Sequence, residues 1–390
     1  MGAAARLILL TALACVPARA EPDVRSDARL DLVGLVQLLS GDPHAARNLE
    51  ADAAFERFER WSRHPAVKGL TAMRKNGFAW DIPLQYALYL SSPPALAEAY
   101  PAPSFFAETA GGAAALAAWR EDLVDFARVS GFMDWERERE PRRREEIEAV
   151  RASAGGADLA PDLIAELGLK PWSSWTVVTG PFFGRGGVGA WVLEEKAGRP
   201  EIVVMYGPNR NPRPSPDSPA RFAAWVYPEA AFAMAYALYE VCRPAMKPVP
   251  GVCEGMGSMN NPEDCVEQRW VRGLVARVVE RRFGPDSASE YRAQRPPSKF
   301  QDGVDAALDV YDSDRAKYKD IIDARALLAA PVQPDGKSPA CAVVSPERFP
   351  ETVYARRLAY YLDGRLEAHP DSALAKARAR LEAFRAEAGR

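Results

Sequence analysis

The sequence predicts a predominantly α-helical α+β fold, with one small antiparallel sheet beside a central helix and a helical region ahead of it. Two observations carry this expectation. Apolar residues recur at helical spacing along most of the chain. Only residues 174–206 switch to short β-branched or alternating runs broken by Gly and Pro.

The chain opens on a different pattern. Met1 to Arg6 carries one positive charge, Leu7 to Val16 is apolar, and Ala18-Arg19-Ala20 is a small-x-small site before Glu21. This reads as a secretory signal peptide over residues 1–20, with an apolar stretch too short to span a bilayer. A short anchor, or lipidation through Cys15, is the competing reading. The expected compartment is periplasmic or extracellular.

Beyond the leader, 48 Lys and Arg face 53 Asp and Glu, a formal charge of −5. An acidic chain without a basic tract lacks the electrostatic footprint for nucleic acid or anionic membranes. The most apolar later stretch, Phe222 to Val241, is interrupted by Pro228, Glu229 and Glu240, so no transmembrane segment is expected. About 370 residues exceed one ordinary core. They divide into a helical N-terminal region, residues 21–170, and a second region, residues 171–390.

In the first region Leu32, Leu35, Val36, Leu38 and Leu39 recur at helix spacing before Gly41, a plausible stop. Phe55 to Trp61 suggests a helix ending near His64-Pro65, and Val67 to Lys75 one ending at Asn76-Gly77. Pro83 to Leu90 is a short helix stopped by Ser91-Ser92-Pro93-Pro94, and Ala113 to Val129 is alanine-rich and amphipathic. Trp135 to Val150 is charged enough to read mostly as a solvated helix face.

The sheet is expected from Trp175 to Thr179, Val188 to Glu195 and Glu201 to Tyr206. Gly184-Arg185-Gly186-Gly187 between them follows no Rossmann-type strand and precedes a strand, so a tight turn explains it better than a phosphate cradle. After a proline-rich connector, Ser218-Pro219 has the form of a helix start, with Ser as cap and Pro at the first turn. That helix should reach about Val241. Further helices are expected at Cys265 to Phe283, Val304 to Leu328, Pro350 to Leu366 and Asp371 to Glu387.

Cys242, Cys253, Cys265 and Cys341 remain after the leader. In an oxidising compartment they suggest two disulfides, with three possible connectivities. Metal thiolates are the rival, but no Cys-x-x-Cys pair exists. A local Cys253–Cys265 loop, leaving Cys242 with Cys341, is the pairing taken forward, although spacing alone does not choose it.

Zinc peptidases place His-Glu-x-x-His on one helix, so that both imidazoles share a face and the Glu activates the metal-bound water. A third ligand follows on the next helix, and an edge strand before the first holds the substrate backbone. This chain has that order of elements. At Tyr227-Pro228-Glu229-Ala230-Ala231-Phe232-Ala233 the central Glu is present, with Pro228 and Phe232 where the histidines would stand. In the next helix, Val266-Glu267-Gln268-Arg269-Trp270-Val271-Arg272-Gly273 places Gln268 at the third ligand position.

These stretches resemble the domain-of-unknown-function 4932 family, secreted bacterial proteins that look like zinc metallopeptidases. Trp61-Ser62-Arg63-His64-Pro65-Ala66-Val67 and Gly77-Phe78-Ala79-Trp80-Asp81-Ile82-Pro83 belong to the same resemblance, as does the sheet from Pro181 to Tyr206. The resemblance implies a zincin-like arrangement within residues 171–390 and zinc as the family's metal. The residues deny that chemistry, since neither Pro nor Phe ligates a metal and neutral Gln replaces a carboxylate poorly.

The reading is therefore an exported metallopeptidase-like protein without catalysis that keeps a cleft for a peptide or protein, and no metal or other cofactor is expected. Glu229 would be a relic, satisfied by Arg272 or a tyrosine. Tyr236 continues the face of Phe232, and His64 matches a family histidine. Tyr236, Arg272 and His64 are thus the cleft candidates, with helix capping the plainer role for His64. The alternative is an active hydrolase working through other residues, such as an acid pair that includes Glu229.

Overall fold

Val177 and Val178 are neighbours in sequence yet belong to different cores, and that division organises the molecule. The computed structural model describes residues 23–318, apart from 43–44, 46–47, 80, 156–161, 164–165, 167–174, 184–187, 195–198, 211–212, 243–252, 255–261 and 295–298. Strands β1 (Asp23–Ser26), β2 (Trp175–Thr179), β3 (Val188–Glu194) and β4 (Arg199–Met205) form one sheet in the order β1-β2-β4-β3. Its two faces are covered by separate helical layers.

The first layer contains α1 (Ala28–Leu39), α2 (Leu49–Phe58), α3 (Pro65–Arg74), α4 (Ile82–Ala87), α5 (Ser104–Ala110), α6 (Ala113–Val129) and α7 (Phe132–Glu138). Its apolar core meets Val178, Val203 and Met205 of the sheet. Helix α1 begins where the Asp27 side chain accepts from the Arg29 amide at 3.0 Å. It ends at Ser40 and Gly41, whose φ of +67° suits glycine. All ten residues from Leu30 to Leu39 are buried, so α1 is the centre of this layer.

The second layer contains α8 (Glu140–Ala154), α9 (Pro219–Cys242), α10 (Pro262–Phe283), α11 (Pro285–Ala293) and α12 (Lys299–Ser313). It packs on Val24, Trp175, Val177, Ile202, Val204 and Tyr206. Helices α10 and α12 approach closely at Gly273, where a β-carbon would lie 2.6 Å from Leu308 Cδ1. Between the sheet and α9, two short strands, β5 (Asn209–Arg210) and β6 (Pro214–Ser215), form a small antiparallel ladder.

The expected antiparallel sheet is corrected by this topology. Within the four-stranded sheet the β3–β4 pair is antiparallel, while β1 runs parallel to β2, and β2 parallel to β4. The physical reason is burial on both faces. All five residues of β2 are buried, as parallel strands between two helical layers require. Strand β1 comes from the N-terminal region, and α8 packs against both β1 and α9, so residues 21–170 and 171–390 share the sheet.

Among the described residues no helix is long and apolar enough to cross a membrane. Residues 1–22 with the expected leader and Cys15, together with His44, His369, Cys341, Gly184 to Gly187 and the helices expected after residue 318, lie outside the described residues.

Candidate functional site

Helix α9 is fixed at its start by polar groups from three elements. The Tyr206 hydroxyl, just past β4, donates to Asp217 Oδ2 at 2.5 Å. The Asp217 amide in turn donates to Ser153 Oγ of α8 at 2.8 Å. Ser218 Oγ accepts from the Arg221 amide at 3.3 Å, the bond expected of an N-cap. The helix passes through Pro228 and continues to Cys242, although that proline has no N–H for the preceding turn.

Burial sorts the faces of α9. Phe222, Val226, Tyr227, Ala230, Ala231 and Phe232 are buried, while Trp225, Pro228 and Glu229 are partly exposed. Phe232, expected from the sequence at the second ligand position, is 6% exposed and belongs to the core that includes Val266, Val271 and Val275 of α10. Gln268 and Arg272 stand one turn apart on α10 and are partly exposed. Helices α9 and α10 pack side by side. The side chains of Tyr236 and Cys242 are outside the described residues.

Cys265, near the start of α10, is bonded to Cys253, with their Cα atoms 5.2 Å apart. The buried Arg269 donates to the Glu254 carbonyl at 2.5 Å, tying the same segment to the helix. Farther along α10, Arg277 reaches Asp312 at 2.9 Å and also pairs with Asp309, which clamps α10 to α12.

His64 does not join this group. Its Nδ1 accepts from the Ala66 amide at 3.2 Å, so it caps α3, and its Nε2 lies 3.1 Å from Asp125 Oδ2. Its ring stacks edge-on to Phe126, a member of the core on the opposite face of the sheet from Phe232. Among the described residues no three His, Cys, Asp or Glu side chains are placed to share a metal ion.

A polar centre that sequence reasoning missed lies beside α1. Arg139, between α7 and α8, is buried and donates from Nε to Glu50 at 2.8 Å and from Nη1 to Asp31 at 3.1 Å. From Nη2 it reaches Glu146 at 3.4 Å, and its guanidinium lies 4.6 Å from the centre of the Trp135 ring. Arg143 donates to Glu136 at 2.7 Å. The expected solvated face from Trp135 to Val150 is therefore corrected in part, because Glu136, Arg139 and Glu146 are interior. Their partners Asp31 and Glu50 lie 108 and 89 residues from Arg139, so no local pattern announces them.

Electrostatics follow the burial. Burial, reinforced by the charge of Glu136, pushes the Asp31 carboxyl well above its ordinary range against the pull of Arg139. Burial also raises Glu136, with Arg139 and Arg143 opposing. Burial would lower Arg139, but the four carboxyls around it hold its guanidinium above the usual value. This centre contains an acid pair, Asp31 and Glu136, which does not include Glu229.

No protein-family model, curated protein or solved structure matches the chain.

Proposed function

We propose that this is an exported metallopeptidase-like protein that has lost zinc chemistry and binds an extended peptide as an added strand along β3. The observation that carries the reading is the position of β3. It is the antiparallel end strand of an otherwise parallel sheet, and among the described residues it pairs with β4 alone. Helix α9, which bears Glu229, packs on both β3 and β4. A peptide that lies along such an edge satisfies its backbone N–H and C=O groups there, and neighbouring helix side chains select its residues. Edge strand, following helix and second helix come in the order that the resemblance implies, although the mainly parallel sheet does not match a zincin-like arrangement.

The same positions argue against metal chemistry. A catalytic zinc takes three protein ligands and an open site for water. Pro228 and Phe232 offer no donor atom, and Gln268 offers only a neutral amide. Glu229 keeps the place of the former general base, with Trp225 and Pro228 as its partly exposed neighbours on α9.

An array of seven-residue peptides incubated with the purified protein tests this reading. Bound peptides are then resynthesised with backbone N-methyl groups at single positions. Strand addition predicts that methylation abolishes binding at alternate positions and is tolerated between them. Failure to bind any peptide, indifference to methylation at every position, or cleavage of the peptides detected by mass spectrometry would overturn it.

A further inference from the structure

His64 accepts from each of the first three backbone amides of α3. Pro65 opens the helix without an N–H of its own. The next amide, that of Ala66, donates to His64 Nδ1 at 3.2 Å. Those of Val67 and Lys68 donate to the His64 carbonyl at 3.0 and 3.1 Å. Ser, Thr, Asp and Asn are the side chains that ordinarily cap a helix in this way. Histidine differs from them in one respect: its acceptor disappears when the ring takes up a proton.

The same bonds assign the tautomer. A backbone N–H only donates, so Nδ1 carries a lone pair and the ring proton sits on Nε2, facing Asp125 Oδ2 of α6 at 3.1 Å. The ring is buried, edge-on to Phe126 at 5.2 Å and to Trp61 at 5.9 Å between ring centres. A proton gained at Nδ1 therefore sets two donors against each other and leaves the Ala66 amide without a partner. Turning the ring over does not help, because both nitrogens of the cation are donors.

The charges around the ring pull in opposite directions. Asp125 and Asp122, both on α6, favour the cation. Asp122 Oδ2 lies alongside α3, 3.9 Å from the place of a β-carbon on Gly69. Against them stand the positive end of α3, on which the ring sits, and Arg60, which lies over the neighbouring Trp61 ring at 5.6 Å. Asp125 is 62% exposed, so water screens its attraction, whereas Ala66 is fully buried and its amide forfeits a bond outright. The ion pair does not make good the lost cap.

We propose that His64 is an acid-released latch: uptake of a proton at Nδ1 frees the first turn of α3 and leaves the histidine tied to α6 through Asp125. Ala66, Val67 and Leu70 of the loosened segment belong to the core of the first layer. Trp119 Nε1 of α6 still holds the Ala66 carbonyl at 2.9 Å, so the turn opens without leaving its place. The sign follows from the neutral ring. The cap is present at high pH and is lost as pH falls through the range, about 5 to 8, in which imidazole ordinarily changes charge.

Hydrogen exchange of the full chain from about pH 8 to about pH 5, corrected for intrinsic amide rates, tests the latch. Opening of residues 66–70 should grow by about tenfold per pH unit below its midpoint, while α1 and α6 keep their protection. His64→Asn keeps an acceptor for Ala66 that does not titrate, so its protection should be flat across the same range. Asp125→Asn removes the carboxylate that favours the cation, and the loss should move to lower pH. If His64→Asn does not fold, nitrogen NMR spectra of labelled histidine in the wild type give a second measurement. At about pH 8 the ring whose signals shift in Asp125→Asn should carry its proton on Nε2. Wild-type protection that is flat with pH, or a His64→Asn variant that keeps the wild-type slope, would overturn the proposal. So would a loss that Asp125→Asn leaves unmoved or displaces to higher pH, or a neutral ring with its proton on Nδ1.

Discussion

Phe182 occupies the space that a side chain at Gly34 would need. A β-carbon on Gly34 would lie 2.7 Å from Phe182 Cβ, so the middle of α1 and the approach to β3 touch backbone to side chain. Alanine in a helix interior gains about 1 kcal/mol over glycine from propensity. Overpacking a rigid contact costs about 1–3 kcal/mol, and here the obstructing atom is a β-carbon that cannot rotate away. Gly34→Ala should therefore destabilise despite its better propensity, seen as a lower urea midpoint. An unchanged or raised midpoint would mean that the segment at Phe182 yields readily.

Removing the guanidinium from the polar centre should be severe and should depend on pH. Arg139→Met keeps apolar contact with Trp135 but leaves Asp31, Glu50, Glu136 and Glu146 without their shared cation. Breaking a buried ion pair on one side costs about 3–5 kcal/mol. Without the cation the already raised carboxyls of Asp31 and Glu136 rise further, so the penalty should be largest near pH 8 and shrink toward about pH 5 as they take up protons. Urea titrations of wild type and variant at both pH values measure the difference. A penalty that grows on acidification would contradict the electrostatic account.

The Cys253–Cys265 bond closes a short loop, with a sequence separation of 12. A loop near this size lowers the entropy of the unfolded chain enough to stabilise by roughly 3 kcal/mol. Replacing both residues with serine should lower the thermal midpoint by several degrees, and reductant should then have little further effect through this bond. A double variant that melts with the wild type would show the bond to be dispensable.

Purified protein should contain far less than one zinc per chain, and chelator should leave its thermal midpoint unchanged, because no metal then contributes to folding. The variant carrying Pro228→His, Phe232→His and Gln268→Glu supplies the ligand types of zinc peptidases at the three positions proposed to have lost them. Zinc-dependent stabilisation of that variant, measured by a melting shift, would support the proposed ancestry of α9 and α10. One tightly held zinc per wild-type chain after dialysis would overturn the reading of Pro228 and Phe232.

Local patterns revealed the elements whose signals are contained within them. The alanine-rich amphipathic stretch gave α6 at Ala113–Val129, and the β-branched run gave β2 at Trp175–Thr179. Ser218-Pro219 marked the start of α9, and Gly41 the end of α1. Long-range pairings were not legible. Strand β1 is four residues with a single buried position, and only its parallel partner makes it a strand. The centre around Arg139 was hidden for the same reason: its charges look like a solvated face until Asp31 and Glu50 arrive from far along the chain. In α9 the helix itself could be read from sequence, but the division of Glu229 and Phe232 between rim and core came from packing.

Strand β1 is synthesised well before the strand that it pairs with. Thr176, opposite Asp23, lies 153 residues downstream, which is roughly 8–30 s of translation. The first helical layer waits as well, since Val178, Val203 and Met205 complete its core. Contacts at such separation are slow to form, and the apolar surfaces they cover stay open in the meantime. A nascent chain stopped before Met205 should therefore remain digestible by protease through α1, and resistance should appear only once β4 has emerged. The order of synthesis thus leaves a long interval in which the N-terminal half is complete in sequence but lacks its floor.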